Sequence, residues 1–150
     1  MRRIFLPLAA AFFLVANPTI AQDDTTPSDV EFLGASTNFP FSEAVRVGNI
    51  LYLSGQIGLD PATGKLAEGG IQPETRQTLT NIREAVEKYG GSMDRVAKCT
   101  VMLVDIAEWP AMNEVYKTFF PNNKPARSAF AGTGLALNSR VEIECIAVLE

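Results

Sequence analysis

Two segments with helical spacing interrupt a chain whose other apolar runs beyond residue 35 all read as strands, and that alternation constrains the fold most. In "IQPETRQTLTNIREAVEKYGG", Thr75, Leu79, Ile82, Val86 and Tyr89 recur at threes and fours, one buried helical stripe. Pro73 and Glu74 suit its first turn, and Gly90-Gly91 its stop. In "EWPAMNEVYKTFFP", Trp109, Met112, Val115, Tyr116 and Phe119 mark a second apolar face between Pro110 and Pro121. Before the first helix, "EAVRV" and "ILYLSGQI" flank Gly48-Asn49, a two-residue link suited to a tight hairpin. "RVAKCTVMLVD", "ARSAFAG" and "RVEIECIAVLE" supply three more strands, the first with so little alternation that both its faces are expected to be covered. The order β-β-α-β-α-β-β predicts an α+β domain, a sheet carrying both helices on one face. The last strand has apolar residues on both sides: Ile146 and Val148 on one, Val141, Ile143, Cys145 and Ala147 on the other. With no third layer in the chain, another copy is the expected cover, hence a homo-oligomer.

The first 21 residues stand apart. Arg2 and Arg3 precede an apolar run from Ile4 to Ala16, too short to span a bilayer, and a polar approach to Ala21. Residues 1–21 read as a cleavable export signal, with processing after Ala21 and a periplasmic or secreted destination. Residues 22–35, polar and Pro-punctuated at first, read as a flexible leader, and residues 36–150 as the folded domain. No membrane span is expected after processing.

Setting aside Arg2 and Arg3 leaves 11 Lys+Arg against 17 Asp+Glu, a net charge of −6. That sign opposes phosphate binding, and no segment gathers its cations, so nucleic acid is not the expected partner. The remaining length, about 129 residues, suffices for a real core without disulfides. Cys99 and Cys145 both fall in apolar strand patterns; export permits a bond between them, but the burial habit of cysteine favours two separate thiols.

The chain has no histidine, which removes His-based triads and His-ligated metals. Two separated cysteines make no zinc knuckle, and "GTG" at 132–134 is no phosphate loop. No metal is expected. Catalysis would rest on arginine, carboxylates, hydroxyls, backbone groups and water. Arg127, in "KPARSAF", is costly to bury on a strand without a partner. Glu142 and Glu144 stand two apart, hence on one sheet face, where each would raise the other's proton affinity unless a cation lay near. A structural Arg127–Glu142 pair and a catalytic one fit these residues equally, and exposed acids in water fit the two glutamates as well.

Several motifs in order sharpen the reading: "FPFSEAV", "LYLSGQIGLDPATGKL", "TRQTLTNIREAVE", "VAKCTVMLVDIAEWPAMNEVY", "KPARSAF" and "SRVEIECIAV". From Phe39 to Leu149 the series resembles the Rid (YjgF) family of reactive-intermediate deaminases. The resemblance implies a chorismate-mutase-like fold, a homotrimer whose sheets face a central β-barrel, and a pocket at each subunit interface. It implies cofactor-free hydrolysis of 2-aminoacrylate and related 2-imino acids to 2-keto acids and ammonia. Carried onto this chain, the substrate-carboxylate arginine falls on Arg127 and the water-positioning glutamate on Glu142. The pocket serine and glycine fall on Ser54 and Gly55, and the helix asparagine on Asn113. Phe41 stands where many members have an aromatic hydroxyl, Ala129 where some have a cysteine, and "LALNS" lacks a proline common in that loop. A reading from another class is a non-catalytic trimer of the cell envelope that binds small carboxylates or holds unfolded clients.

Overall fold

The structure, a computed structural model, describes residues 30–150. The export signal assigned to residues 1–21 lies outside the described residues. Val30–Leu33 (β1), placed by the sequence reading in the leader, pairs antiparallel with Ala44–Val47 (β2). Gly48 turns β2 into Ile50–Leu53 (β3), taking φ 58° at the first turn position, where a side chain would be strained. Gln56–Ile57 (β4) follows, then a small ribbon of Leu59–Asp60 (β5) and Lys65–Leu66 (β6).

The first helix, Ile71–Lys88 (α1), buries Thr75, Thr78, Leu79, Ile82, Ala85 and Val86. Its N-cap, Gly70, makes no side-chain hydrogen bond, so packing rather than capping holds it. Leu79, Ile82 and Val86 are fully buried, each contributing about 1.5–3 kcal/mol. Val96–Leu103 (β7) leads into Trp109–Phe119 (α2), which carries the chain over to Ala126–Ala131 (β8). The β7–β8 pair is the parallel one in the sheet, and α2 is the crossover such a pair needs. Val141–Val148 (β9) then inserts between β3 and β7.

The sheet runs β1-β2-β3-β9-β7-β8, with β4 added against β9. One face carries Leu51, Leu53, Cys99, Val101, Leu103, Val141, Ile143, Cys145 and Ala147, packed in one core with residues of both helices. The expected α+β architecture with both helices on one face is what forms. The central β-barrel does not. The outermost strands β1 and β8 do not pair with each other, so the sheet is open, and the structure is of one chain, not a trimer. Closure needs both edges paired at a matched stagger, and within one chain neither edge finds a mate. The expectation for β7 is also corrected: the helices cover Cys99, Val101 and Leu103, whereas Lys98, Thr100 and Met102 face the other way. That second face also carries Val30, Phe32, Tyr52 and Phe130, all exposed. Among the described residues no helix is long and apolar enough to cross a membrane.

Cys99 and Cys145 are a disulfide rather than separate thiols. They sit directly opposite each other across β7 and β9, with Cα atoms 4.1 Å apart. Burial habit predicts the environment correctly, both being almost fully buried, but pairing depends on strand register, which composition does not carry.

Candidate functional site

The parallel ladder aligns Arg127 with Cys99, which turns the Arg127 side chain to the helix-covered face, under α2. Trp109, Asn113 and Tyr116 lie at i, i+4 and i+7 on α2, a stripe beside the one that buries Met112 and Val115 in the core. That stripe meets the guanidinium. Arg127 Nη1 donates to Asn113 Oδ1 at 2.7 Å, and the guanidinium carbon lies 4.5 Å from the Tyr116 ring centroid and 5.7 Å from that of Trp109. A cleft of about 330 Å³ opens there, lined by Tyr116, Lys117, Phe120, Lys124, Pro125 and Arg127. Among the described residues Arg127 makes no ion pair, and Asn113 is its one hydrogen-bond partner. Half-buried, with most of its five N–H donors unused, it is set to grip a planar anion.

Glu142 lies on the opposite face. Its register partner on β7 is Met102, and its neighbours Val141 and Ile143 point into the core. Glu74, a buried carboxylate on α1, fixes the start of β9: its Oε1 accepts from the backbone N–H of Arg140 at 2.6 Å and of Val141 at 3.4 Å. On its other side β9 pairs with β4, Ile57 opposite Glu142. Gly55 sits under the carboxylate so closely that a Cβ there would fall 2.2 Å from Glu142 Oε1. Ser54 is tied back to the preceding loop, its Oγ donating to the Ser42 carbonyl at 2.6 Å and its N–H to that of Glu43 at 3.0 Å. Phe41, one residue before Ser42, is exposed and packs its ring on Phe39 at 5.3 Å.

The six residues singled out in the sequence therefore form two groups. Arg127 and Asn113 meet under α2; Glu142, Gly55 and Ser54 cluster at β4 and β9, with Phe41 on the adjoining loop. Two strand spacings and three residues of rise separate the Arg127 and Glu142 backbones, roughly 14 Å, and their side chains leave opposite faces. A structural Arg127–Glu142 pair within one chain is thereby excluded. By sequence alone Trp109 and Tyr116 belong to an apolar helix face; their i, i+4, i+7 relation with Asn113 is the signal of a further role. A larger hollow of about 530 Å³, lined by Arg76, Arg83, Asp94 and Phe119 among others, contains none of these residues. No cluster of three or more metal-ligating side chains occurs among the described residues.

Residues 34–149 match the family described as Endoribonuclease L-PSP. Mouse 2-iminobutanoate/2-iminopropanoate deaminase is 45% identical over 109 residues, 73% of this chain and 81% of that protein. Among solved structures, RidA from an Antarctic Psychrobacter aligns with a TM-score of 0.71 at 35% identity, covering 83% of this chain and 99% of the other. TdcF from E. coli, solved with bound serine, aligns with a TM-score of 0.72 at 32% identity, covering 79% and 93%. Sequence and fold agree over the whole described domain, and the chain belongs to the Rid (YjgF) family of reactive-intermediate deaminases.

Proposed function

We propose that this protein hydrolyses 2-imino acids, and the enamino acids that tautomerise to them, to 2-keto acids and ammonia without a cofactor. Arg127 carries the reading: a half-buried guanidinium positioned by Asn113 at the mouth of a cleft, unpaired with any carboxylate among the described residues. Such a fork binds a substrate carboxylate through two parallel hydrogen bonds and fixes the adjacent C=N for attack. Water adds to the imine carbon as a carboxylate takes its proton and passes it to the nitrogen; the amine of the tetrahedral adduct then leaves as ammonia, carrying away the hydroxyl proton by way of the same carboxylate as the carbonyl forms. Glu142 suits the proton-accepting role, since no cation lies within ion-pair distance of it among the described residues. Similarity to the mouse deaminase supports the substrate class, and the serine bound to TdcF shows a relative holding an amino acid.

Because Arg127 and Glu142 leave opposite faces of the sheet, one substrate can touch both only if two copies contribute. We infer that the working pocket lies between protomers of a homo-oligomer, a reading that the exposed apolar face supports. Export is part of the same proposal. The pattern of residues 1–21 supports it, and the Cys99–Cys145 disulfide suits an oxidising compartment. The endoribonuclease of the family description draws no support from an acidic chain without histidine.

The test is ammonia release from 2-imino acids generated in situ by an amino-acid oxidase. Catalysed release with the wild-type protein and its loss in Arg127→Ala, with folding retained, is the expected result. Saturable binding of 2-oxobutanoate without accelerated release would favour a carboxylate-binding role, and equal rates for both proteins would end the proposal.

A further inference from the structure

The Arg127 cleft carries more positive charge than one carboxylate needs. Its lining holds three cations, Lys117, Lys124 and Arg127, and no acidic residue, in a chain whose formal net charge is −4. Lys117 is already committed, its ammonium paired with Glu114 one turn back on α2. Lys124 makes no ion pair among the described residues. Arg127 gives one donor to Asn113 and none to an acid. Two uncommitted positive charges therefore line one cleft, and an anionic ligand that meets both is favoured over one that meets only one.

The two cations differ in kind and in depth. Arg127 is half-buried, and its planar fork suits a carboxylate that must be oriented beside a reacting C=N. Lys124 is exposed, a mobile point charge suited to a carboxylate at the end of a flexible side chain, where charge matters more than angle. Pro125 stands just before β8 and stiffens the chain that joins them. The rest of the lining is apolar surface: Pro125, with the rings of Tyr116 and Phe120 packed 4.8 Å apart. A cleft of about 330 Å³ has room for roughly ten non-hydrogen groups at the volume of a liquid water each, the size of a five-carbon dicarboxylic imino acid.

We infer that Lys124 is a specificity-determining residue of this site: its ammonium receives the side-chain carboxylate of a 2-imino dicarboxylic acid whose first carboxylate lies on Arg127. The inference rests on Arg127 as a carboxylate anchor, shared with the proposed function, but not on turnover. It extends the range of this chain beyond 2-iminobutanoate and 2-iminopropanoate, the uncharged acids for which the mouse deaminase is named.

The test compares 2-iminoglutarate with 2-iminobutanoate, each generated in situ by an oxidase acting on the parent amino acid, and calorimetric binding of 2-oxoglutarate with that of 2-oxobutanoate. The wild-type protein is expected to favour the dicarboxylate in kcat/KM and in binding by about fivefold, the upper range for an ion pair made in solvent. Lys124→Ala is expected to remove that preference and leave the aliphatic ligand unchanged; Lys124→Glu should turn it into discrimination against the dicarboxylate. Both variants alter an exposed side chain, so a thermal midpoint close to wild type is expected. Equal affinity of the wild type for the two keto acids overturns the inference, as does a Lys124→Ala variant that weakens both alike. Turnover of both imines without selectivity ends the role of Lys124 and leaves the deaminase reading standing. Selective binding of 2-oxoglutarate without turnover of either imine upholds Lys124 and ends the deaminase reading. A protein that neither binds nor turns over either ligand ends both.

Discussion

Arg127 and Glu142 leave opposite faces of one sheet: Arg127 aligns with Cys99 on the helix-covered side, and Glu142 faces away with Met102. If one substrate touches both, the two come from different copies. Arg127→Ala and Glu142→Ala, each inactive alone, are then expected to regain activity when co-expressed. Random mixing reconstitutes roughly a quarter of the pockets with both native residues. The measurement is ammonia release by the co-purified mixture, and activity no higher than that of either variant alone would count against a pocket shared between copies.

Gly55 is a second point of attack. A methyl there would meet Glu142 Oε1 at 2.2 Å, whereas one at Gly132 would meet nothing within 4 Å. Gly55→Ala must push the carboxylate aside, so turnover should drop at least tenfold with a thermal midpoint close to wild type. Gly132→Ala should leave both unchanged. Parallel kinetics and melting curves of the two variants check the contrast.

The Cys99–Cys145 bond closes a loop of sequence separation 46. The chain-entropy estimate for a loop of that size is about 4 kcal/mol. Replacing both cysteines by alanine should lower the unfolding free energy by up to that figure and raise the denaturant slope, because the unfolded chain without the cross-link exposes more surface. Equilibrium unfolding with and without reductant tests it: reductant should destabilise the wild type and not the double variant.

Glu43 ties the loop that holds Ser54 to the end of α1. Burial pushes its carboxyl pKa up, but hydrogen bonds from Lys88 Nζ at 2.6 Å and Tyr89 Oη at 2.7 Å outweigh burial and leave it below the ordinary 4.5. A lowered carboxylate stabilises fully above its unfolded pKa and loses that contribution as pH falls through the folded value. The same contact raises Lys88 above 10.5, chiefly by hydrogen bonding to Glu43, so its contribution fades as pH climbs through the raised value. Glu43→Gln should therefore flatten the acid limb of a plot of thermal midpoint against pH, and an unaltered acid limb would count against this account.

Local patterns carried much of the fold. The spacing of Leu79, Ile82 and Val86 located α1 and its buried face, and alternation along β9 correctly divided Val141, Ile143, Cys145 and Ala147 from Glu142 and Ile146. What alternation could not supply was register. The face that Arg127 takes depends on its alignment with Cys99 in a parallel pair, and the disulfide depends on Cys99 meeting Cys145 across an antiparallel one. Both are non-local facts. α2 hid its second role for a different reason: Trp109 and Tyr116 are hydrophobic, Tyr116 does belong to the core, and only what faces their rings shows that they also meet a cation. The closed barrel failed because the outermost strands, β1 and β8, do not pair.

Cys99 and Cys145 are the chain's full complement of cysteines. Oxidation therefore has a single intramolecular product, with no rival pairing to sort out. A molecule that crossed a membrane unfolded would need only an oxidant on the far side, not a thiol-shuffling catalyst, to reach its native connectivity, and its characteristic error would be a cross-linked dimer rather than a scrambled monomer.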